Sequence, residues 1–179
     1  MTNLQTFQAN ICYTAAGILI HEGRILLIKH KKLGLWLNPG GHIEANELNH
    51  KAAEREFYEE TGVRVKAVDL LGLDGGPETE FVPNPIASNL HWVSKENYWS
   101  RVQAKGITDP QWKKGCEQHL NFLFLVQQVA NLDLTFNRDE TFGLEWFTHE
   151  QLAQIELTPS VRTEIELGYQ MGASLSPNR

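Results

Sequence analysis

Apolar residues along the chain gather into short runs separated by turn signals. Residues 11–20 are apolar and rich in small or branched side chains, which reads as a strand. His21-Glu22-Gly23 is a turn, and residues 24–29 repeat the strand pattern, so a hairpin is expected. Ala52, Ala53 and Phe57, set among charged residues, predict a helix that stops at Gly62, where glycine supplies a left-handed cap. Asn46 or Asn49 could cap its start. Residues 63–73 have the apolar pattern of a strand, and 119–127 form a second, buried one. A turn around Asn131 separates that strand from residues 132–136, and a loop from Asn137 leads into a short strand holding Trp146. Thr148 looks like the cap of a short helix. Pro159 opens the last helix, which is expected to run to about Gly168 before a frayed tail. Residues 74–118 are the least regular part, with Pro77, Pro83, Pro85 and Pro110 among Trp92, Trp99 and Trp112. A short helix around 94–103 is possible. So long an irregular stretch usually serves as a lid or binding loop; its aromatics could stack on a base or pack on the core.

A chain of 179 residues with 41% hydrophobic content fits one domain, residues 1–179, carrying an irregular insertion at about 74–118. The net charge of −6 argues against a general nucleic-acid or membrane-surface binder. No apolar run is long enough for a bilayer, and the first residues show no secretory pattern. Cys12 and Cys116 are therefore expected to be free thiols in a reducing cytoplasm. No Cys/His ligand spacing occurs, so no structural zinc site is expected.

The chemistry concentrates in residues 41–63. At 100° per residue, Glu56, Glu59 and Glu60 fall within about 100° of one helix face, and Arg55 lies one turn before Glu59. Like charges held this close are unfavourable without a cation. Hard oxygen ligands suit magnesium or manganese, and magnesium commonly bridges carboxylates to substrate phosphates. Upstream, Pro39 fixes the chain direction and Gly40-Gly41 allow close approach to a ligand. Trp36 reads as core.

Gly41, Glu47, Arg55, Glu56, Glu59, Glu60 and Gly62, with apolar Phe57 and Val63, fit G-x5-E-x7-R-E-U-x-E-E-x-G-U, where U is apolar. Chance would produce the seven fixed letters on the order of once in 10⁹ starting points. That pattern is the Nudix box, and the chain resembles the Nudix hydrolases from about Cys12 to Gly168. The resemblance implies an α/β/α sandwich with a mixed β-sheet and a loop–helix–loop box. It implies a magnesium or manganese site from Glu56, Glu59 and Glu60, a carbonyl of Gly40, and a further acid outside the box. Glu140, six residues before Trp146, fits that place; Glu145 is its competitor. Arg55 and Glu47 would orient the cluster, with Gly41 and Gly62 supporting it.

The implied reaction is hydrolysis of a nucleoside diphosphate linked to another group. Glu56, then Glu140, then Glu59 are candidates to take the water's proton. Lys31, Lys32 and His119 are candidate substrate contacts, although each is as readily structural. A nucleoside triphosphate is the favoured substrate, with ADP-ribose or another nucleotide sugar as alternative. The last helix begins Thr158-Pro159-Ser160-Val161 without the asparagine used by members that read oxidised guanine, which argues against that preference. A non-catalytic nucleotide sensor is the other class, disfavoured because every box glutamate is present. Members are often dimers, so a homodimer is possible.

Overall fold

A computed structural model describes residues 9–94, 98, 115–130, 134–135 and 141–174. Among the described residues, eight strands and three helices follow in the order β1 (Ile11–His21), β2 (Arg24–His30), β3 (Trp36–Leu37), β4 (Gly40–His42), α1 (Asn49–Thr61), β5 (Val65–Ala67), β6 (Ala87–Trp92), β7 (Gln118–Gln128), β8 (Thr141–Thr148), α2 (His149–Leu152) and α3 (Pro159–Ser174).

The expected hairpin is present, with Ile20 opposite Ile25 and the turn made by Glu22 and Gly23 at positive φ. β1 is the hub of a mixed sheet. It pairs antiparallel with β2 and β4 and parallel with β7, from Ile11 beside Gln118 to Leu19 beside Val126. β5 and β6 add to β7, while β3 and β8 add to β2. Strand alternation splits the core into two layers. Ala15, Leu19, Phe124 and Val126 face α1 through Ala52, Ala53 and Phe57. Ala16, Ile18, Leu123 and Leu125 face α3 through Val161 and Ile165. Each large side chain so buried contributes roughly 1.5–3 kcal/mol. The α/β/α sandwich is therefore as expected. Among the described residues no helix is long and apolar enough to cross a membrane.

Several local expectations need correcting. Leu48, not an asparagine, precedes α1, and no side chain caps it. Asn46 is instead in the left-handed region at φ 64°, and Asn49 begins the helix with its Oδ1 accepting from the His50 amide. Only residues 65–67 of 63–73 pair as a strand. β6 falls inside the segment read as irregular; Ser88, Asn89 and His91 break the apolar alternation that would have revealed it. The last helix passes through Gly168 to residue 174 because α3 lies against the sheet. Thr148 does cap α2, with Gln151 completing the reciprocal box. The helix expected near 94–103 falls mostly outside the described residues, as does most of 132–136.

Cys12 and Cys116 are not free thiols. They form a disulfide with Cα atoms 5.5 Å apart across a sequence separation of 104. The parallel β1–β7 pairing, invisible in the sequence, brings them together.

Candidate active site

β4 and α1 build the carboxylate site on one face of the sheet. Gly41 lies opposite Ala15 of β1 and faces the helix so closely that a Cβ there would sit 2.5 Å from Glu56 Oε2. Glu60 is buried, and its Oε2 accepts the Gly40 amide at 2.8 Å. Thus the loop before the helix and the helix's last turn are tied through the residue predicted to hold metal. Gly62, at φ 75°, ends α1 and returns its amide to the Tyr58 carbonyl.

Arg55 organises the remaining acids. Its Nε and Nη2 donate to Glu47 Oε1 and Oε2 at 2.8 and 2.9 Å, a two-pronged pairing that fixes the guanidinium plane. Nη1 donates to Glu56 Oε1 at 2.8 Å and to Glu59 Oε2 at 3.0 Å. Nη2 also reaches the His42 carbonyl at 2.9 Å. The hydrogen bond from Arg55 is the main cause holding the Glu47 carboxyl below its ordinary range; burial opposes it, and the Glu44 amide and the Arg55 charge add to it. The Glu47 hydrogen bond in turn raises the Arg55 pKa, against desolvation and with help from Glu56.

Gly40, Gly41, Glu47, Arg55, Glu56, Glu59 and Glu60 are thus brought together. Lys31 and Lys32 are exposed in the turn after β2. His119 lies elsewhere: its ring packs on His42, 4.9 Å away, and that side chain leaves β4 on the face opposite to Gly41. Burial, with His42 and His91 adding, pushes the His119 imidazole down to about 4. Glu140 lies outside the described residues. Glu145 is exposed on β8 beside Trp146. Trp36 packs edge-on against Phe147 at 4.9 Å, as a core residue should.

One acid escaped the sequence reading. Glu164 of α3 accepts Asn38 Nδ2 at 2.9 Å and Asn89 Nδ2 at 2.8 Å. Burial raises its pKa, while both carboxamides pull it down. Asn38 stands two residues before Gly40, and its Oδ1 is buried without a described partner. The 126-residue separation left no sequence signal.

Glu164→Leu is expected to lower stability by about 2 kcal/mol by stranding two carboxamide donors. Glu164→Gln should fold, because a flip of Asn38 turns its Oδ1 toward the new amide. A raised carboxyl stabilises the fold below its unfolded pKa, and that contribution is lost as pH rises through the folded value. The glutamine variant should therefore gain on wild type in denaturant melts as pH rises; a constant difference would contradict the buried-acid assignment.

The chain is similar to known proteins in sequence and in fold. The NUDIX domain model matches residues 13–166. An "Oxidized purine nucleoside triphosphate hydrolase" of Danio rerio is 30% identical over 98 residues, 53% of this chain and 61% of that protein. An "ADP-ribose pyrophosphatase" of Methanocaldococcus jannaschii is 39% identical over 67 residues, 36% of this chain. The chain spans only 40% of that archaeal relative. A NUDIX-family hydrolase structure from Clostridium perfringens superposes with a TM-score of 0.67 at 22% identity, covering 89% of this chain and 97% of the other.

Proposed function

The chain belongs to the NUDIX family, and from that premise we propose that it hydrolyses the diphosphate bond of a nucleoside diphosphate derivative, most naturally a nucleoside triphosphate. The observation that carries this reading is the convergence of Glu47, Glu56 and Glu59 on one guanidinium, with Glu60 locked to Gly40. Four formal carboxylates against one Arg55 leave an excess of negative charge, and every donor is a hard oxygen. That donor set fits magnesium or manganese, held by Glu56, Glu59, Glu60 and the Gly40 carbonyl, with Glu140 as the further acid. A bound divalent ion would offset charge on the phosphate oxygens.

The chain's own residues supply the rest. Glu56 is assigned to take the proton of the attacking water, ahead of Glu140 and Glu59. Arg55 and Glu47 position Glu56 and Glu59. The activity named for the Danio rerio relative supports the triphosphate reading. That named for the archaeal relative supports ADP-ribose as the alternative. We further take residues 1–179 as one domain acting in the cytoplasm; the single sheet running from β1 to β8 supports the first of these.

The test is a product analysis of nucleoside triphosphates and ADP-ribose at saturating magnesium. Pyrophosphate plus a monophosphate is expected, with activity lost on chelation. Two monophosphate products from ADP-ribose would move the substrate to the alternative. Tight binding without turnover of either would overturn the hydrolase reading and leave a sensor.

A further inference from the structure

The face of the sheet away from the carboxylates carries a second group of chemically active side chains. Cys12 of β1 lies beside His119 of β7 in the parallel register, and His119 lies beside His91 of β6. His42 of β4 sits opposite Thr14, two residues along from Cys12 and hence on the same face. Cys116 stands just ahead of β7, and His42 Nε2 is 3.3 Å from its Sγ. One donor atom from each of Cys12, His42 and Cys116 lies within 4.8 Å of the others. The His119 ring contacts the His42 ring at 4.9 Å and the His91 ring at 5.5 Å.

Two sulfurs and two adjacent imidazoles are the ligand set of a closed tetrahedral zinc site. We propose that the reduced Cys12 and Cys116 thiolates, with His42 and with His119 as fourth ligand, form a zinc site separate from the box carboxylates. A tetrahedral ion with ordinary bond lengths sets sulfur and nitrogen about 3.6 Å apart and two sulfurs about 3.8 Å apart. The first spacing is close to the 3.3 Å observed. The second requires the disulfide to open, and rotation about the Cα–Cβ bonds supplies it across the 5.5 Å Cα spacing.

The steps balance. A dithiol reductant gives two electrons and two protons to the Cys12–Cys116 bond and becomes a disulfide itself. Zinc binding then releases both thiol protons to solvent, and the ion keeps its oxidation state. His42 is exposed, which leaves the ion a path in. The two sites do not compete, because magnesium prefers the hard oxygens of α1 while thiolate and imidazole favour zinc. They do share β4: the His42 carbonyl is held by Arg55 at 2.9 Å.

The experiment titrates the reduced full chain with zinc in excess magnesium, following thiol reactivity toward a chromogenic disulfide reagent. Cobalt(II) in a parallel sample reports thiolate coordination by charge-transfer absorption. One zinc per chain is expected, with both thiols protected and a thiolate–cobalt band present. Cys12→Ser should abolish the band, and His42→Ala or His119→Ala should weaken zinc binding by about tenfold or more. Circular dichroism checks that each variant folds. Should the serine variant not fold, the two alanine variants, which leave the sulfurs in place, decide. Unprotected thiols at saturating zinc would overturn the proposal, as would unchanged zinc affinity in the histidine variants. None of these readouts involves turnover, so failure here is distinguishable from failure of the hydrolase reading.

Discussion

Glu60→Gln is expected to lower turnover by about three orders of magnitude at saturating magnesium, with the melting curve unchanged. The glutamine is isosteric, and its Oε1 can accept the Gly40 amide as Glu60 Oε2 does at 2.8 Å. The tie between loop and helix survives, while the charge offered to a cation is removed. Glu56→Gln should cause a comparable loss, although it also weakens the 2.8 Å contact with Arg55 Nη1. Wild-type turnover in purified Glu60→Gln would remove this residue from the metal set.

The adjacent glycines of β4 are expected to fail in different ways. A Cβ on Gly40 would meet the Ala15 carbonyl oxygen at 2.5 Å and Ala16 Cα at 2.6 Å. Those are backbone atoms of the strand at the centre of the sheet, which cannot retreat. Gly40→Ala should therefore cost about 3 kcal/mol of stability. A Cβ on Gly41 would meet the Glu56 carboxylate instead, the far end of a flexible side chain. Gly41→Ala should keep the fold within about 1 kcal/mol and lose about a hundredfold in turnover through the displaced acid. Urea melts with turnover on the same samples separate the cases; equal melting midpoints for both variants would contradict the close-approach account.

What the sequence showed and what it hid follow from the range of the interactions. Arg55 and Glu59 stand one helical turn apart, so periodicity predicts their ion pair, which is present. The Arg55–Glu47 pair is also present, but it was implied by the family resemblance and not by helix geometry, because Glu47 precedes α1. The β1–β2 hairpin and the Thr148 cap are equally local. The contact of Glu164 with Asn38 and the bond from Cys12 to Cys116 join residues more than 100 positions apart. They depend on which strands become neighbours, and no local pattern encodes the parallel β1–β7 pairing. β6 is hidden in the sequence for a different reason. Its polar residues serve a half-covered sheet edge, and Asn89 there binds Glu164. Glu140, the acid offered from outside the box, lies beyond the described residues and stays a proposal.

That parallel pairing also bears on how the chain reaches its native state. Ile11 cannot meet Gln118 until two-thirds of the polypeptide has been made, and closing so large a loop carries an entropic cost before any contact offsets it. Hairpin β1–β2 and helix α1 need no such closure. Docking of β7 beside β1 is thus the topologically slow event in folding, and until it happens the apolar edge of β1 has no partner on that side. A bond between Cys12 and Cys116 closes the same loop at the strand's first residues, so the oxidised chain should refold faster than the reduced one.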